Sequence, residues 1–154
     1  MLRPIPAPST PSPRRVERPL PPYRYVPGLN PHPFRHEGGH LYTDGSPPAE
    51  EPWTGTTPWQ QDERWLYALD LWDHHFWWEA HEAWEALWHS CEVGTVEHTG
   101  LQGLIQAAAA RLKEHMGEPP NRLRQAARKR LESVRAKAGT PWRGVDLDGV
   151  LAAL

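Results

Sequence analysis

The sequence is poor in the features that mark secreted and membrane proteins. Its 154 residues include one cysteine, Cys91, which excludes an intrachain disulfide framework and indicates a reducing compartment. No apolar run reaches the length of about 18 residues that a membrane-spanning helix needs. The N-terminus lacks the apolar stretch of a secretory signal, and its prolines exclude the amphipathic helix of a transit peptide. We therefore predict a cytoplasmic protein with no membrane partner.

A large charge of one sign and an alternating apolar pattern are also missing. The formal net charge is -2 at pH 7, so the chain as a whole is not attracted to nucleic acid or anionic lipid. No segment alternates apolar and polar residues as a half-buried β-strand does. These absences predict an all-α fold.

Proline divides the chain. Fifteen of the 18 prolines precede Trp59. We expect residues 1–21 to be a disordered tail rich in proline and arginine, since few large apolar groups are present to offset the entropy of ordering. Residues 22–57 keep the prolines but add aromatic side chains, so we expect an extended arm that lies on the helical body. Residues 58–154 are predicted to form the helical domain.

Capping residues divide this domain into helices. Thr57 is the candidate N-cap of the first helix, with a proline at the first helical position and a glutamine that completes a capping box. Residues 58–90 contain no glycine, and no proline after the first position, but Asp73 is a candidate cap at which a long helix would divide in two. Thr95 is the candidate cap of the next helix, which Gly117 ends.

The C-terminal part completes the predicted fold. Residues 120–138 have apolar side chains at helical spacing, and Asp146 is the candidate cap of a short closing helix. We therefore expect a small up-and-down bundle of about four helices plus a short C-terminal helix.

The most unusual stretch is "FWWEAHEAWEALWHS", residues 76–90, which holds four tryptophans, three glutamates and two histidines. On a helical wheel, His81 lies between an aromatic stripe and an acidic face, one turn before Glu85. The following helix carries Gln102 and Gln106 between two apolar faces. Buried amides need partners, and the acids and imidazole of the tryptophan-rich helix are natural ones.

These two helices carry a resemblance to a known family. "FWWEAHEAWEALW" followed by "LQGLIQAAAARLKEHMG" resembles the domain of unknown function 309 family, small all-α proteins with an H-E-x-x-E-x-x-W helix and a Q-G-L-I-Q helix. The resemblance covers roughly residues 60–138 and implies a helical bundle, without an established activity. Its motif residues here are Glu79, His81, Glu82, Glu85, Trp88, Gln102, Gly103 and Gln106. The upstream "YRYVPGLNPHPFRHEGGH" is similar to an extension found in some members.

One functional hypothesis is a polar pocket that binds a divalent metal or a small ligand. "HEAWE" resembles the zinc-protease helix H-E-x-x-H with Glu85 in place of the second histidine, so His81 and Glu85 are the candidate metal ligands. Glu82 is then the candidate catalytic base, which would polarise a bound water for hydrolysis. Five further residues are predicted to contact the ligand: Gln102, Gln106, Trp88, His32 and His40. The arm would cover the region from His81 to Glu85.

The alternative is that the same His, Glu and Gln cluster is structural and fixes the helix register. In that case the protein is a non-enzymatic interaction module, and the sequence leaves enzyme activity open. The candidate surface is a basic strip on the fourth helix, which would meet RNA or an acidic protein. Intramolecular pairing with the acidic residues of 60–92 is the simpler explanation of these charges. The basic strip consists of Arg122, Arg124, Arg128, Lys129, Arg130, Arg135 and Lys137.

Overall fold

The computed structural model describes residues 1–44 and 50–154, and over these ranges the secondary structure is helical with no strand. The prediction of an all-α fold is confirmed. No helix in the described ranges has the length and apolar character to cross a membrane. A single 3-10 turn, Trp59–Gln61, precedes the helices. The α-helices are α1 (Glu63–Asp73), α2 (Trp77–Trp88), α3 (Val96–His115), α4 (Asn121–Ala138) and α5 (Leu147–Ala152).

The central element is α3, which packs against α2 on one side and α4 on the other, while α1 packs against α2. Small residues allow this close approach. A Cβ atom at Gly103 would lie 2.9 Å from the Leu131 side chain of α4, and one at Gly100 would lie 2.3 Å from the Trp142 ring. The helices therefore share one core on both sides of α3, and the tryptophan-rich α2 is held on one face of that core.

The start of the first helix differs from its prediction. Thr57 does not cap it. The N-cap is Asp62, whose carboxylate accepts a hydrogen bond of 3.2 Å from the Trp65 backbone N–H and one of 2.7 Å from the Trp53 indole. Asp62 has the extended backbone that an N-cap needs and lies just before the buried Trp65, so it satisfies the free amides of α1 better than a threonine five residues earlier.

The helix over residues 58–90 is divided, as the sequence allowed, but Asp73 is the last residue of α1 rather than the cap of α2. The chain reverses through His75, which has a left-handed backbone with φ of 66°. The other predicted caps are confirmed. The Thr95 side chain accepts a hydrogen bond from the His98 backbone N–H at the start of α3, and the Asp146 side chain accepts one from the Gly149 backbone N–H at the start of α5.

The N-terminal tail, residues 1–21, lies on the bundle instead of remaining free as expected. Its main contact is Asp70 of α1, a fully buried carboxylate. Asp70 accepts from the Arg15 backbone N–H at 2.9 Å, from Arg14 Nε at 3.0 Å, and from the Val16 backbone N–H at 3.2 Å. Further along, the Tyr67 hydroxyl donates to the carbonyl oxygen of Pro19 at 2.8 Å.

The compositional argument failed for this tail because it considered apolar burial alone. Burial would raise the pKa of Asp70, but the hydrogen bonds from Arg15, Arg14 and Val16 outweigh it and lower this pKa below its ordinary value. Charge-assisted hydrogen bonds of this kind are about twice as strong as neutral ones. They offset the entropy of ordering a segment that has few large apolar side chains.

The arm lies against the first turn of α2. Val26 is fully buried, and the Tyr25 backbone N–H donates a 3.0 Å hydrogen bond to Glu79 Oε2. Further along the chain, Trp53 stacks on Trp65 with ring centroids 6.1 Å apart. Residues 45–49 of the predicted arm lie outside the described residues. The division of the chain at residues 21 and 57 stays a prediction.

Candidate functional site

His81, Glu82 and Glu85 lie together on α2, and we name them the α2 triad. His81 Nε2 is 3.1 Å from Glu85 Oε2, and His81 Nδ1 is 3.5 Å from Glu82 Oε1. One nitrogen or oxygen atom from each of the three residues lies within 4.8 Å of the others. The His81 side chain is 26% exposed and each glutamate is 37% exposed, so solvent reaches all three. This is the location that the sequence predicted.

The electrostatics of the triad centre on Glu82. Burial raises its pKa, the His81 imidazole lowers it, and the neighbouring Glu85 carboxylate raises it. At the other end of the triad, Glu85 Oε1 lies 3.5 Å from His89 Nε2. A cation placed among these groups would relieve the repulsion between the two glutamates.

The separation of the ligand atoms suits a small divalent ion. Zinc binds imidazole nitrogen and carboxylate oxygen at about 2.0–2.2 Å, so two ligands of one tetrahedral ion lie roughly 3.3 Å apart. The 3.1 Å between His81 Nε2 and Glu85 Oε2 fits this geometry. Glu82 now faces Nδ1 of the ring, and its partly exposed side chain must turn towards Nε2 to bind the same ion.

Of the two glutamines predicted to contact the ligand, Gln106 points away from the triad. Gln106 accepts a 3.1 Å hydrogen bond from Arg130 of α4, so its amide is directed to the opposite neighbour of α3. Gln102, one turn earlier, is half-buried. Trp88 is half-buried against the core, with its ring centroid 5.0 Å from that of His98. Partners for these side chains depend on the packing of α3 and α4, which their sequence spacing does not specify.

The predicted arm histidine His32 lies outside the triad. Its ring packs edge-on against Trp78 at 5.6 Å, and its Nδ1 accepts from the backbone N–H groups of Phe34 and Arg35, each at 3.2 Å. Burial, and then the charge of Arg35, lower the pKa of His32. A neutral ring that accepts through Nδ1 orders the turn of the arm and leaves that nitrogen engaged.

His40, the other predicted arm histidine, meets a residue that the sequence analysis did not assign to the site. Its Nε2 lies 3.5 Å from Glu79 Oε2, with the side chains only 6% and 4% exposed. Burial raises the pKa of Glu79 to about 7 and lowers that of His40. The arm therefore reaches α2 one turn before the triad. Glu79 precedes Glu82 by three residues, so the two side chains lie on the same face of α2. This spacing in the sequence could have assigned Glu79 to the site.

Two cavities flank this part of α2. His81 lines the smaller one, of about 300 Å³, together with Trp77 and Met116. Glu79 and Glu82 line a cleft of about 870 Å³. We name this second cavity the tail cleft, because residues 18–21 of the tail form one of its walls. The remaining walls come from the arm, α1 and α2. Two members of the triad, His81 and Glu82, thus line different cavities.

The basic strip on α4 is largely engaged within the chain. Its contacts are Arg124 with Glu114 at 2.8 Å, Arg128 with the Leu154 carbonyl oxygen at 3.0 Å, Arg130 with Gln106 at 3.1 Å, and Arg135 with Asp148 at 2.7 Å. These partners belong to α3, α5 and the C-terminus, so among the described residues these four contacts do not involve the acidic residues of α1 and α2. An RNA or acidic protein partner for the strip stays a prediction.

Comparison with known proteins matches part of the helical region to a family model. The family model described as domain of unknown function 309 matches residues 65–124. This range runs from α1 into the first turn of α4 and contains the whole triad. Searches of the curated proteins and of the solved structures found no match.

Proposed function

Because residues 65–124 match the model of the domain of unknown function 309 family, which brings no activity with it, we propose a function from the geometry of α2. The function is the binding of a divalent cation by the α2 triad. The observation that carries this proposal is the 3.1 Å separation of His81 Nε2 and Glu85 Oε2, with a Glu82 ligand atom within 4.8 Å.

The chemistry of the triad favours an ion of the zinc type. One imidazole and two carboxylates form a mixed nitrogen and oxygen ligand set, which such ions accept. Three protein ligands leave a coordination position open to water, as in catalytic rather than structural sites. The partial exposure of all three side chains gives the ion and a substrate a route to the site.

Glu82 can act in one of two ways in this proposal. As a third ligand it completes the site. As a general base it would stay unbound and take a proton from a water held by His81 and Glu85, which would make the site hydrolytic. The tail cleft, which Glu82 lines, would then hold the substrate.

The test begins with the metal content of the untagged protein, measured by mass spectrometry, and with zinc binding by the metal-free protein in equilibrium dialysis. We expect one ion per chain in the wild type and none in a His81→Ala, Glu85→Ala double variant. The matched control is His89→Ala, since His89 also lies beside Glu85 but is 64% exposed and outside the triad. The control should retain the ion.

Glu82→Gln separates the two roles of Glu82. If Glu82 is a ligand, zinc affinity should fall by at least about tenfold, the lower limit seen even for residues that only support a ligand. If it is the base, affinity should be unchanged while hydrolysis of ester and phosphoester test substrates is lost. A wild type that binds no ion, together with a double variant that melts at a lower temperature, would show that the triad is structural.

A further inference from the structure

We propose that the tail cleft, which shares Glu82 with the triad, is a second site that binds a small organic cation through Glu79 and His40. The ligand class is an amidine or amine carried on a flat apolar body. This inference does not depend on metal binding by the triad. It rests on unpaired buried atoms, on the charges around the cleft, and on the composition of its walls.

Two buried polar atoms at the cleft have no hydrogen-bond partner among the described residues. They are Glu79 Oε1 and His40 Nε2, and both residues line the cleft. Both side chains are more than nine-tenths buried. Buried polar groups in folded proteins are nearly always paired, so an unpaired couple at a cavity points to a missing partner. The ionised form of Glu79 can only accept, so its missing partner is a donor.

The charges of the cleft select a cation. Glu79 and Glu82 contribute carboxylates, while the two arginines that line the cleft are already engaged. Arg64 pairs with Glu50 at 2.7 Å, and Arg18 stacks on the Tyr67 ring at 4.2 Å.

Arg24, which also attracts Glu79, donates its Nε–H to the His74 carbonyl oxygen at 2.8 Å and stacks on the Phe76 ring at 4.2 Å. It makes no hydrogen bond to Glu79 among the described residues. A ligand N–H therefore does not compete with Arg24 for Glu79 Oε1.

The walls select an apolar and flat ligand body. Trp78, Tyr67 and Phe34 supply aromatic surface, and the tail contributes Pro19 and Pro21. Aromatic rings favour a delocalised cation, since its positive charge interacts with the ring face. An amidinium group also presents two N–H donors in a fork, which could reach the Glu79 oxygen and the nearby His40 nitrogen together after these buried side chains turn towards the cleft.

The test uses three probes of one shape and different charge: benzamidine, benzamide and benzoate. Each is titrated into the full chain, freed of metal by a chelator, and followed by NMR at the Trp78 indole and at the Tyr25 amide, whose N–H binds Glu79. We expect saturable shifts with benzamidine, with affinity falling about tenfold or more for the neutral benzamide because a charge-assisted hydrogen bond is lost. Benzoate should not bind.

Glu79→Gln keeps the shape of the side chain and removes its charge. It should lower benzamidine affinity about tenfold or more and change benzamide affinity little. The control is Glu63→Gln, an exposed acid in the first turn of α1 that should have no effect. The proposal is overturned if benzamidine produces no saturable shift, if benzamide or benzoate binds as tightly, or if Glu79→Gln leaves benzamidine affinity unchanged. The comparison of the three probes on the wild type holds even if the variant does not fold.

Discussion

Replacing Glu79 by glutamine should stabilise the protein at neutral and alkaline pH. The glutamine has the shape of the protonated acid and can still accept the 3.0 Å hydrogen bond from the Tyr25 backbone N–H. It avoids the cost of holding a carboxylate at a site where the side chain is only 4% exposed. The relative stability of the variant should therefore rise once Glu79 ionises in the unfolded wild-type chain, and the gain should be complete when Glu79 is also ionised in the folded protein.

The size of the effect follows from the pKa of this carboxyl. Burial raises it from 4.5 to about 7 in the folded protein. Over that interval the folded wild type holds a proton that the unfolded chain releases, so the wild type loses stability as the pH rises through it. The difference between these two pKa values corresponds to a loss of about 3 kcal/mol in the unfolding free energy of the wild type, at roughly 1.4 kcal/mol per pH unit.

Urea unfolding at roughly pH 4 and roughly pH 8 measures the prediction, since groups that titrate equally in both proteins cancel in the difference. The unfolding free energy of Glu79→Gln minus that of the wild type should increase by about 3 kcal/mol between the two conditions. A difference that is the same at both pH values would refute the reasoning, because Glu79 would then titrate as an exposed acid. A decrease would mean that the ionised form is stabilised by its neighbours.

Three further predictions concern other parts of the fold. Asp70→Asn should lower the unfolding free energy by about 2 kcal/mol or more, because charge-assisted hydrogen bonds to the tail are lost, and limited trypsin digestion should then cleave the tail faster. Gly100→Ala should lower the unfolding free energy by about 1–3 kcal/mol in thermal melting, since the added methyl would lie 2.3 Å from the Trp142 ring. Arg124→Glu should cost at most about 1 kcal/mol through its lost ion pair with Glu114, and an unchanged RNA mobility shift would argue against a role of this base in RNA binding.

The features that the sequence predicted are those set by neighbours along the chain. Thr95 and Asp146 cap their helices through amides three residues away, so local patterns were sufficient. The His81 and Glu85 pair belongs to the same class, because residues four apart on a helix are adjacent in space. The α2 triad could therefore be located before any tertiary structure was known.

The features that the sequence did not predict depend on distant partners. Asp70 receives its hydrogen bonds from arginines more than 50 residues earlier, and nothing in the tail alone indicates that such a carboxylate exists. Glu79 meets His40 across the arm, a contact that only the folded path of the arm creates. The prediction that Thr57 caps the first helix was wrong for a related reason. The N-cap Asp62 also accepts a hydrogen bond from the indole of Trp53, which lies outside the helix.

The attachment of the tail to Asp70 also has a consequence for folding during synthesis. The ribosome releases residues 14–16 long before their acceptor, which is 55 positions later than Arg15. Contacts of such separation form after local helices, because the closure of a long loop must be compensated by structure that is already present. This segment is synthesised before α1 but should thus dock after α1 has formed. On a nascent chain, the wall of the tail cleft would be completed only after α1 has formed.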